Sequence, residues 1–242
     1  MLSKVLVMAE ALRYPGGGQA LMKSRPRSVT SWLMANRLRE LGTAFQTILD
    51  GGANLGQFAR AAHQCYPDAR IISFEPLPDI AEQLEANLSD VERHFVLRSA
   101  LGSYNGEIGF HRNSYSQSSS VLTMLHSRGG LTVGTKETEH IRVPIGRLDT
   151  LLEKQSLTPP ALLKLDLQGY ELEALKGATV TLQQCSHLLL ETVFDREYEG
   201  EPLFEEIWIY LRKQGFHFVR PLNFSKGSTG SIVQMDALFR KL

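Results

Sequence analysis

Glycines and acidic residues at the ends of apolar runs are the features of this sequence best suited to chemistry. The first such run is in the segment TILDGGANLG, whose candidate ligand-binding residues are Asp50, Gly51, Gly52, Asn54 and Gly56. Its three glycines can adopt positive φ angles and let a ligand approach the backbone closely. A helix predicted over 57–66 would direct its N-terminal N–H groups toward the same turn. The pattern indicates a nucleotide-binding turn, with a purely structural turn as the alternative.

The spacing within this turn departs from the dinucleotide-binding pattern G-x-G-x-x-G. With Asn54 in its middle, the turn lacks the glycine that usually lies against a pyrophosphate. A side chain at this point suits a ligand without phosphate, such as the amino-acid end of S-adenosylmethionine.

Glu75 ends the second predicted strand, about 20 residues after Gly56, which is the separation expected of a ribose-binding acid. Its ionised carboxylate would offer two acceptor oxygens to the two hydroxyls of a ribose. Pro76 ends the strand and belongs to the same predicted cofactor site. This spacing fits nicotinamide and adenosylmethionine cofactors equally, and a solvated strand-end glutamate is the alternative.

Asp166 and Glu191 follow two later apolar runs. Because the carboxyl ends of parallel strands form the ligand crevice of an open sheet, both should lie on the same rim as Asp50 and Glu75. Asp166 could act as a general base for a hydroxyl, orient the ligand or coordinate a divalent metal ion. The alternative is that some of these carboxylates cap neighbouring helices.

The elements that position these residues alternate between strand and helix, which predicts an α/β fold with a mostly parallel sheet and helices on both faces. The predicted strands are Thr47–Asp50, Ile71–Phe74, Phe95–Leu97, Leu162–Leu165 and His187–Leu190, with His217–Arg220 and Ala237–Arg240 as a final pair. Residues 102–149 break this alternation. We predict extra strands at Gly106–His111 and Ile141–Ile145, with a loop at 113–120.

Residues 1–45 differ from the rest and are predicted to form a helical extension to a domain spanning 46–242. An amphipathic helix is expected at Ser31–Leu41, with its apolar residues on one side. Packing against the sheet is the first interpretation of this extension, and a lid or a dimer contact are the alternatives. A homo-oligomer is therefore left open.

The composition of the chain limits the classes of partner and the cellular location that the sequence supports. The 242 residues contain 26 Lys plus Arg and 26 Asp plus Glu, so the net charge gives no argument for nucleic acid or an anionic membrane. Cys65 and Cys185 are far apart and lack metal-ligand spacing, which favours a reducing, cytoplasmic location. Near the start of the sequence, the apolar run Val5–Ala9 ends at Glu10, which is too early for the core of a signal peptide. No stretch of the sequence approaches the length that spans a membrane.

Taken in order along the chain, these motifs resemble the FkbM family of S-adenosylmethionine-dependent methyltransferases. The matching segments are Ile48–Phe58, Phe74–Pro76, Asn87, Ser99–Gly102, Ser118–Ser120, Leu148–Asp149, Leu163–Ala178, Glu191, Tyr198, Gly200, Gly215–Phe216 and Met235–Phe239. The resemblance covers roughly residues 46–240 and is carried by the order of the motifs.

The resemblance implies a Rossmann-like class I methyltransferase fold, a seven-stranded sheet with an antiparallel last strand. It implies that Gly52, Asn54 and Gly56 hold the methionine part of S-adenosylmethionine, Glu75 the ribose, and Ser99 and Ala100 the adenine. The expected reaction is O-methylation of a hydroxyl on a sugar, glycan or natural product, with Asp166 or Glu191 as the base. A non-catalytic protein that keeps the fold and a nicotinamide-dependent oxidoreductase are the alternatives.

Overall fold

The computed structural model describes residues 8–15, 17–18, 26, 28–113, 116–125 and 137–242. From residue 28 onward, the α-helices in the described ranges are α1 (Val29–Arg39), α2 (Gln57–Cys65), α3 (Pro78–Asn87), α4 (Leu148–Leu151), α5 (Glu171–Lys176), α6 (Thr179–Gln184) and α7 (Phe204–Lys213). The strands are β1 (Thr47–Gly51), β2 (Arg70–Phe74), β3 (His94–Leu97), β4 (Ala100–Leu101), β5 (Gly106–Asn113), β6 (Glu137–Gly146), β7 (Ala161–Leu165), β8 (Cys185–Val193), β9 (Phe216–Lys226) and β10 (Ile232–Lys241).

The main sheet has seven strands in the order β3-β2-β1-β7-β8-β10-β9. The pairs β3–β2, β2–β1, β1–β7 and β7–β8 are parallel. The last strand of the chain, β10, lies between β8 and β9 and is antiparallel to both. This topology confirms the predicted α/β fold with an antiparallel last strand. The carboxyl ends of β1, β2, β7 and β8 therefore lie at one edge of the sheet. This is the edge at which the sequence predicts Asp166 and Glu191.

Alternate side chains along each central strand serve two separate cores, because successive residues of a strand point to opposite faces. In β1, Ile48 packs with residues of α1, α2 and α3, whereas the next residue, Leu49, packs with residues of α5, α6 and α7. Leu162 and Leu163 of β7 divide in the same way. This confirms the predicted helices on both faces and fixes the register of the strands whose ends form the cavity.

The irregular region between the third and fourth strands of the main sheet folds into a second sheet in the order β4-β6-β5. The two predicted extra strands exist and pair antiparallel with each other, but both are longer than expected. The loop predicted at 113–120 is partly wrong, because Asn113 belongs to β5 and Ser116–Ser118 forms a 3₁₀ turn. Residues 114–115 of that prediction lie outside the described residues.

The predicted N-terminal helix begins two residues earlier than expected. The Ser28 hydroxyl accepts a hydrogen bond from the Ser31 N–H at 3.1 Å and caps α1. Seven of its eleven residues are buried, and the helix contacts both α2 and β9. The guanidinium of Arg220 in β9 donates to the Arg37 carbonyl of α1 at 2.9 Å. Contacts of α1 with α2 and β9 are therefore observed, whereas the division into an extension and a domain, the lid and the dimer contact remain predictions.

None of the helices in the described ranges combines the length and the apolar character that a membrane crossing requires.

Candidate active site

A cavity of about 380 Å³ opens at the edge where the parallel strands end. The turn after β1, the end of β2 and the start of β4 form one wall, and the ends of β7 and β8 form another. The rest of the cavity lining comes from the start of α1 and from the strands β9 and β10. The cavity therefore lies where an open α/β sheet binds its ligand, and residues from the N-terminal extension reach it.

The turn after β1 depends on glycine at Gly52. Its φ is +72°, and a Cβ atom placed there would lie 1.9 Å from the Asp166 carbonyl oxygen. The Gly52 and Ala53 N–H groups both donate to the Phe74 carbonyl at 3.1 Å. The turn is therefore held between β2 and β7 by backbone contacts, which only a residue without a side chain permits at this point.

Glu75 fixes the next residue of the turn. Its Oε2 accepts the Asn54 N–H at 2.9 Å and its Oε1 accepts the Leu77 N–H at 3.0 Å. The Asn54 side chain in turn donates to the Ser116 hydroxyl at 3.0 Å. Burial raises the pKa of Glu75 to about 7, although the two backbone hydrogen bonds favour its ionised form. Each carboxylate oxygen keeps a second lone pair, so Glu75 retains acceptor capacity toward a diol in the cavity.

Three residues predicted to bind the cofactor lie behind this surface. Asp50 is fully buried, and Asp50, Gly51 and Gly56 are absent from the cavity lining. Gly56 has a φ of +90° and precedes α2, and a Cβ atom there would lie 2.7 Å from Leu84 and 2.8 Å from Leu88. Glycine at this position therefore satisfies helix capping and close packing, and these three residues shape the turn from behind.

Lys164 lines the cavity but is absent from the site residues predicted from the sequence. Its ammonium lies 3.0 Å from Asp50 Oδ1 and 3.8 Å from Asp166 Oδ2, and it donates to the Gly51 and Gly52 carbonyls at 3.2 Å. Burial opposes the charge, but the carboxylates of Asp50 and Asp166 raise the pKa of Lys164 above its ordinary value. A lysine in an otherwise apolar, buried strand needs such a partner, and that pattern could have identified it.

Gln168 connects the two candidate bases. Its Nε2 donates to Asp166 Oδ1 at 2.9 Å and to Glu191 Oε2 at 2.7 Å, and its Oε1 accepts the Tyr198 hydroxyl at 2.8 Å. Burial raises the pKa of Glu191 well above its ordinary value, and the Asp166 carboxylate raises it further. The two carboxylates are therefore close, bonded to one amide and electrostatically coupled.

Asp236 adds a third carboxyl group to this wall from the antiparallel strand. It is the registered neighbour of Glu191 across the β8–β10 pair, and it also lines the cavity. Burial raises the pKa of Asp236 to about 7, with a further contribution from Asp166. In the described part of the chain, no group of three or more His, Cys, Asp or Glu side chains has a metal-binding arrangement.

The structure brings most of the predicted site residues together. Those lining the cavity are Gly52, Asn54, Glu75, Pro76, Ser99, Ala100, Asp166 and Glu191. Those lying behind it are Asp50, Gly51 and Gly56. The residues that the sequence-based site missed are Lys164, Gln168, Tyr198 and Asp236. Gln168 and Tyr198 lie in segments that match the family motifs, but no local pattern indicates their contacts, which join residues from separate parts of the chain.

Known proteins share this sequence pattern. The profile of the methyltransferase FkbM domain matches residues 50–218. A hexuronic acid methyltransferase, AglP of Haloferax volcanii, is 30% identical over 143 residues, which cover 59% of this chain and 54% of that protein. The 2-O-methyltransferase NoeI of Sinorhizobium fredii is 28% identical over 160 residues, covering 64% and 66% respectively. The chain thus spans about half to two thirds of the length of these relatives.

Solved structures share the fold. A Klebsiella pneumoniae protein provisionally called an O-methyltransferase superposes with a TM-score of 0.53 and 13% identity, covering 98% of this chain and 90% of that one. The RNA methyltransferase PH1948 of Pyrococcus horikoshii, also provisionally assigned, gives a TM-score of 0.51 at 12% identity with full coverage of both chains. At these identities the likeness shows the fold alone, and it confirms the Rossmann-like methyltransferase architecture.

Proposed function

The chain belongs to the FkbM methyltransferase family, and we propose that it is an S-adenosylmethionine-dependent O-methyltransferase acting on a hydroxyl of a sugar, glycan or natural product. One observation carries the proposal: a single cavity holds Glu75 on one wall and the Asp166–Glu191 pair on the other. The names of AglP and NoeI, a hexuronic acid methyltransferase and a 2-O-methyltransferase, support a sugar hydroxyl as the acceptor.

The turn wall fits the cofactor chemically. Gly52 and Asn54 would contact its methionine part, Glu75 would accept hydrogen bonds from the ribose hydroxyls, and Ser99 and Ala100 would lie beside the adenine. No phosphate-binding glycine is required, because S-adenosylmethionine carries no phosphate. The carboxylates of the opposite wall would favour a positively charged ligand. Fixed residues of this kind accelerate the reaction mainly by positioning its reactants.

When bound, S-adenosylmethionine supplies an activated methyl group on a sulfonium, whose carbon–sulfur electron pair remains on sulfur after transfer. An alcohol is a weak nucleophile until its proton is removed. Asp166 and Glu191 are the residues that would take this proton, and both line the cavity. Lys164, whose ammonium lies 3.8 Å from Asp166 Oδ2, is the cation beside this candidate base.

The acceptor would occupy the remaining part of the cavity. Thr30 and Met34 of α1 face this space together with Phe224 of β9 and Gln234 of β10. The set combines hydroxyl and amide groups for hydrogen bonds with one aromatic ring, which suits a hydroxylated ring compound. The N-terminal extension would thereby take part in acceptor binding, in addition to its observed packing.

Calorimetric titration with S-adenosylmethionine and S-adenosylhomocysteine tests the cofactor part of the proposal. Micromolar binding is expected, and Glu75→Ala should weaken it, whereas Glu153→Ala, at an exposed glutamate, should leave it unchanged. No binding by folded protein would refute the proposal.

A panel of methyl glycosides then tests the reaction. Transfer that is lost in Asp166→Asn or Glu191→Gln, with cofactor binding retained, is the expected result. Cofactor binding without transfer to any hydroxylated compound would favour the non-catalytic alternative.

A further inference from the structure

Carboxyl groups dominate the charged side chains of the cavity. Besides Glu75 on the turn wall, the carboxyl groups that line it are those of Asp166, Glu191, Glu197 and Asp236. They come from the ends of β7 and β8, from the loop after β8 and from β10. Lys164 is the one basic side chain among the described residues of the lining. A ligand in this space therefore meets a surplus of acidic groups.

The charge of Lys164 is committed to groups of the protein. Its ammonium forms an ion pair with Asp50 Oδ1 at 3.0 Å and donates to the Gly51 and Gly52 carbonyls at 3.2 Å. The Lys164 side chain is only 7% exposed, and the fully buried Asp50 balances its charge. This cation thus belongs to the turn after β1 and is not free to pair with an acidic group of the acceptor.

Glu197 presents an unpaired carboxylate to the cavity. Its backbone is fixed, because its N–H donates to Glu201 Oε2 at 2.6 Å and its carbonyl accepts the Leu125 N–H at 2.8 Å. Within the described residues, by contrast, its carboxylate has no hydrogen bond or ion pair. Val193, the last residue of β8, pairs with Gln234 of the proposed acceptor space, and Glu197 follows in the next loop. The fold therefore holds an uncompensated acid at the cavity.

This charge acts differently on the cofactor and on the acceptor. S-adenosylmethionine carries a carboxylate together with an ammonium and a sulfonium, so its net charge is positive. An acceptor with a carboxylate would bring a second uncompensated negative charge into the same space. Like charges brought together at a binding site weaken binding, and such repulsion is a common source of specificity. Protonation of one carboxyl group of the lining would remove a negative charge but would supply no positive one.

We propose that the acceptor is a hydroxyl compound without an acidic group, and that Glu197 is a specificity-determining residue that excludes acidic compounds. The inference rests on the proposed methyltransferase function and narrows its acceptor class. Hexuronic acids, the class in the name of the relative AglP, are excluded by it, whereas neutral and amine-bearing sugars are retained.

Two methyl glycosides that differ in charge but hardly in shape test the proposal. They are methyl glucuronoside and its uncharged amide, each used also in the galacto configuration. The kcat/KM for methyl transfer should be at least about tenfold higher for the amide. Raising the ionic strength should narrow this ratio, because salt screens charge repulsion but does not relieve a steric clash.

Charge reversal at Glu197 tests the assigned residue. Glu197→Lys should narrow the amide-to-uronate ratio by about threefold or more, and Glu197→Gln should narrow it less. Glu199→Lys, at an exposed glutamate outside the cavity lining, should leave the ratio unchanged. An unchanged ratio in folded Glu197→Lys would overturn the role of Glu197. If Glu197→Lys does not fold, Glu197→Gln carries the test, and an unchanged ratio in that variant would refute the role.

Binding of both glycosides to protein loaded with S-adenosylhomocysteine, measured by ligand-observed NMR, separates this inference from the proposed function. Preferred binding of the amide without methyl transfer to either compound would support the charge selection and refute the methyltransferase. Transfer to the uronate as fast as to the amide, or faster, would retain the function and overturn the inference. Loaded protein that binds neither compound would contradict the inferred acceptor class while leaving the cofactor assignment in place.

Discussion

The two main walls of the cavity are held by different kinds of contact. On the turn side, comprising residues 52–54 and 74–77, backbone N–H groups donate to the Phe74 carbonyl and to Glu75. On the acid side, comprising Asp166, Gln168, Glu191 and Tyr198, the contacts join one side chain to another. The turn side is thus fixed by the path of the backbone, and the acid side by hydrogen bonds between its side chains.

This difference predicts how each wall responds to change. A substitution that obstructs the backbone path on the turn side should lower stability and cofactor affinity together, because the same contacts serve both. A substitution on the acid side should alter protonation with little effect on the backbone. Lys164 belongs to neither wall alone, since it bonds to carbonyls of the turn and lies beside Asp166.

The largest expected effect is that of Gly52→Ala. Its Cβ atom would lie 1.9 Å from the Asp166 carbonyl oxygen, so two backbone segments must separate. We expect a loss of more than about 4 kcal/mol of unfolding free energy, in the exceptional range for a single substitution. Denaturant unfolding measures it, and calorimetry should show no cofactor binding.

Gly200→Ala is the matched control for this variant. Gly200 also has a positive φ, +75°, but a Cβ atom there has no neighbour within 4 Å. The conformational cost alone should be about 1–2 kcal/mol. If Gly52→Ala costs no more than Gly200→Ala, then the close approach of the turn to β7 does not determine the stability of the turn side.

Lys164→Met should have the next largest effect. Removing the ammonium leaves the fully buried Asp50 without its cation, a change that typically costs about 3–5 kcal/mol. Lys154→Met, at an exposed lysine, should change the unfolding free energy by less than about 0.5 kcal/mol. The double variant Asp50→Asn with Lys164→Met should recover part of the loss. A double variant as unstable as the sum of its two single variants would show that Asp50 and Lys164 do not act as a pair.

The turn side could be predicted from the sequence because its signals are local. An apolar run, glycines and a following helix occupy consecutive positions, and Glu75 follows at a regular spacing. The main strands were predicted for the same reason. Gly56 packs against Leu84 and Leu88 and does not line the cavity, and a glycine of this kind has the same sequence signature as one that approaches a ligand.

The acid side could be predicted only in part, because its contacts join distant segments. Asp166 and Glu191 each follow an apolar run, so their shared edge was predictable. Asp236 reaches Glu191 through the antiparallel register of β10, and Tyr198 reaches Gln168 from a separate loop. Two strands of the second sheet, β5 and β6, are predicted from the sequence. The parallel pairing of β6 with β4 is not, because it joins distant segments and no local pattern indicates it.

Cofactor affinity should depend on pH through Glu75. Burial raises the pKa of its carboxyl to about 7 from an ordinary value of 4.5, and the ionised form is the one with full acceptor capacity toward a diol. Below pH 7 the affinity for S-adenosylhomocysteine should therefore fall, by up to about tenfold per pH unit. The same raised pKa lowers the stability of the free protein as pH rises from 4.5 through about 7, because the unfolded chain ionises Glu75 first.

Calorimetry between pH 5.5 and 8 measures this dependence. Glu75→Gln should bind more weakly at pH 8 and lose most of the slope, whereas Glu153→Gln should keep it. A slope that persists unchanged in Glu75→Gln would assign the titration to the acid side, where burial raises the pKa of Asp236 to a similar value. That result would mean that the two walls do not respond separately.

The smallest expected effect is that of Phe224→Ala. This variant tests whether the part of the cavity proposed to bind the acceptor is distinct from the turn side and the acid side. Phe224 is 47% exposed and lines the cavity from β9, so its removal should cost less than about 1 kcal/mol of stability. Cofactor affinity should stay within about twofold, while the acceptor KM should rise by about two- to tenfold if the ring stacks on the acceptor. Val219→Ala, at an exposed residue of β9 outside the cavity lining, should change neither quantity. Equal losses in cofactor and acceptor binding would place Phe224 at a site shared by both, and the β9 wall would then belong to the cofactor as much as to the acceptor.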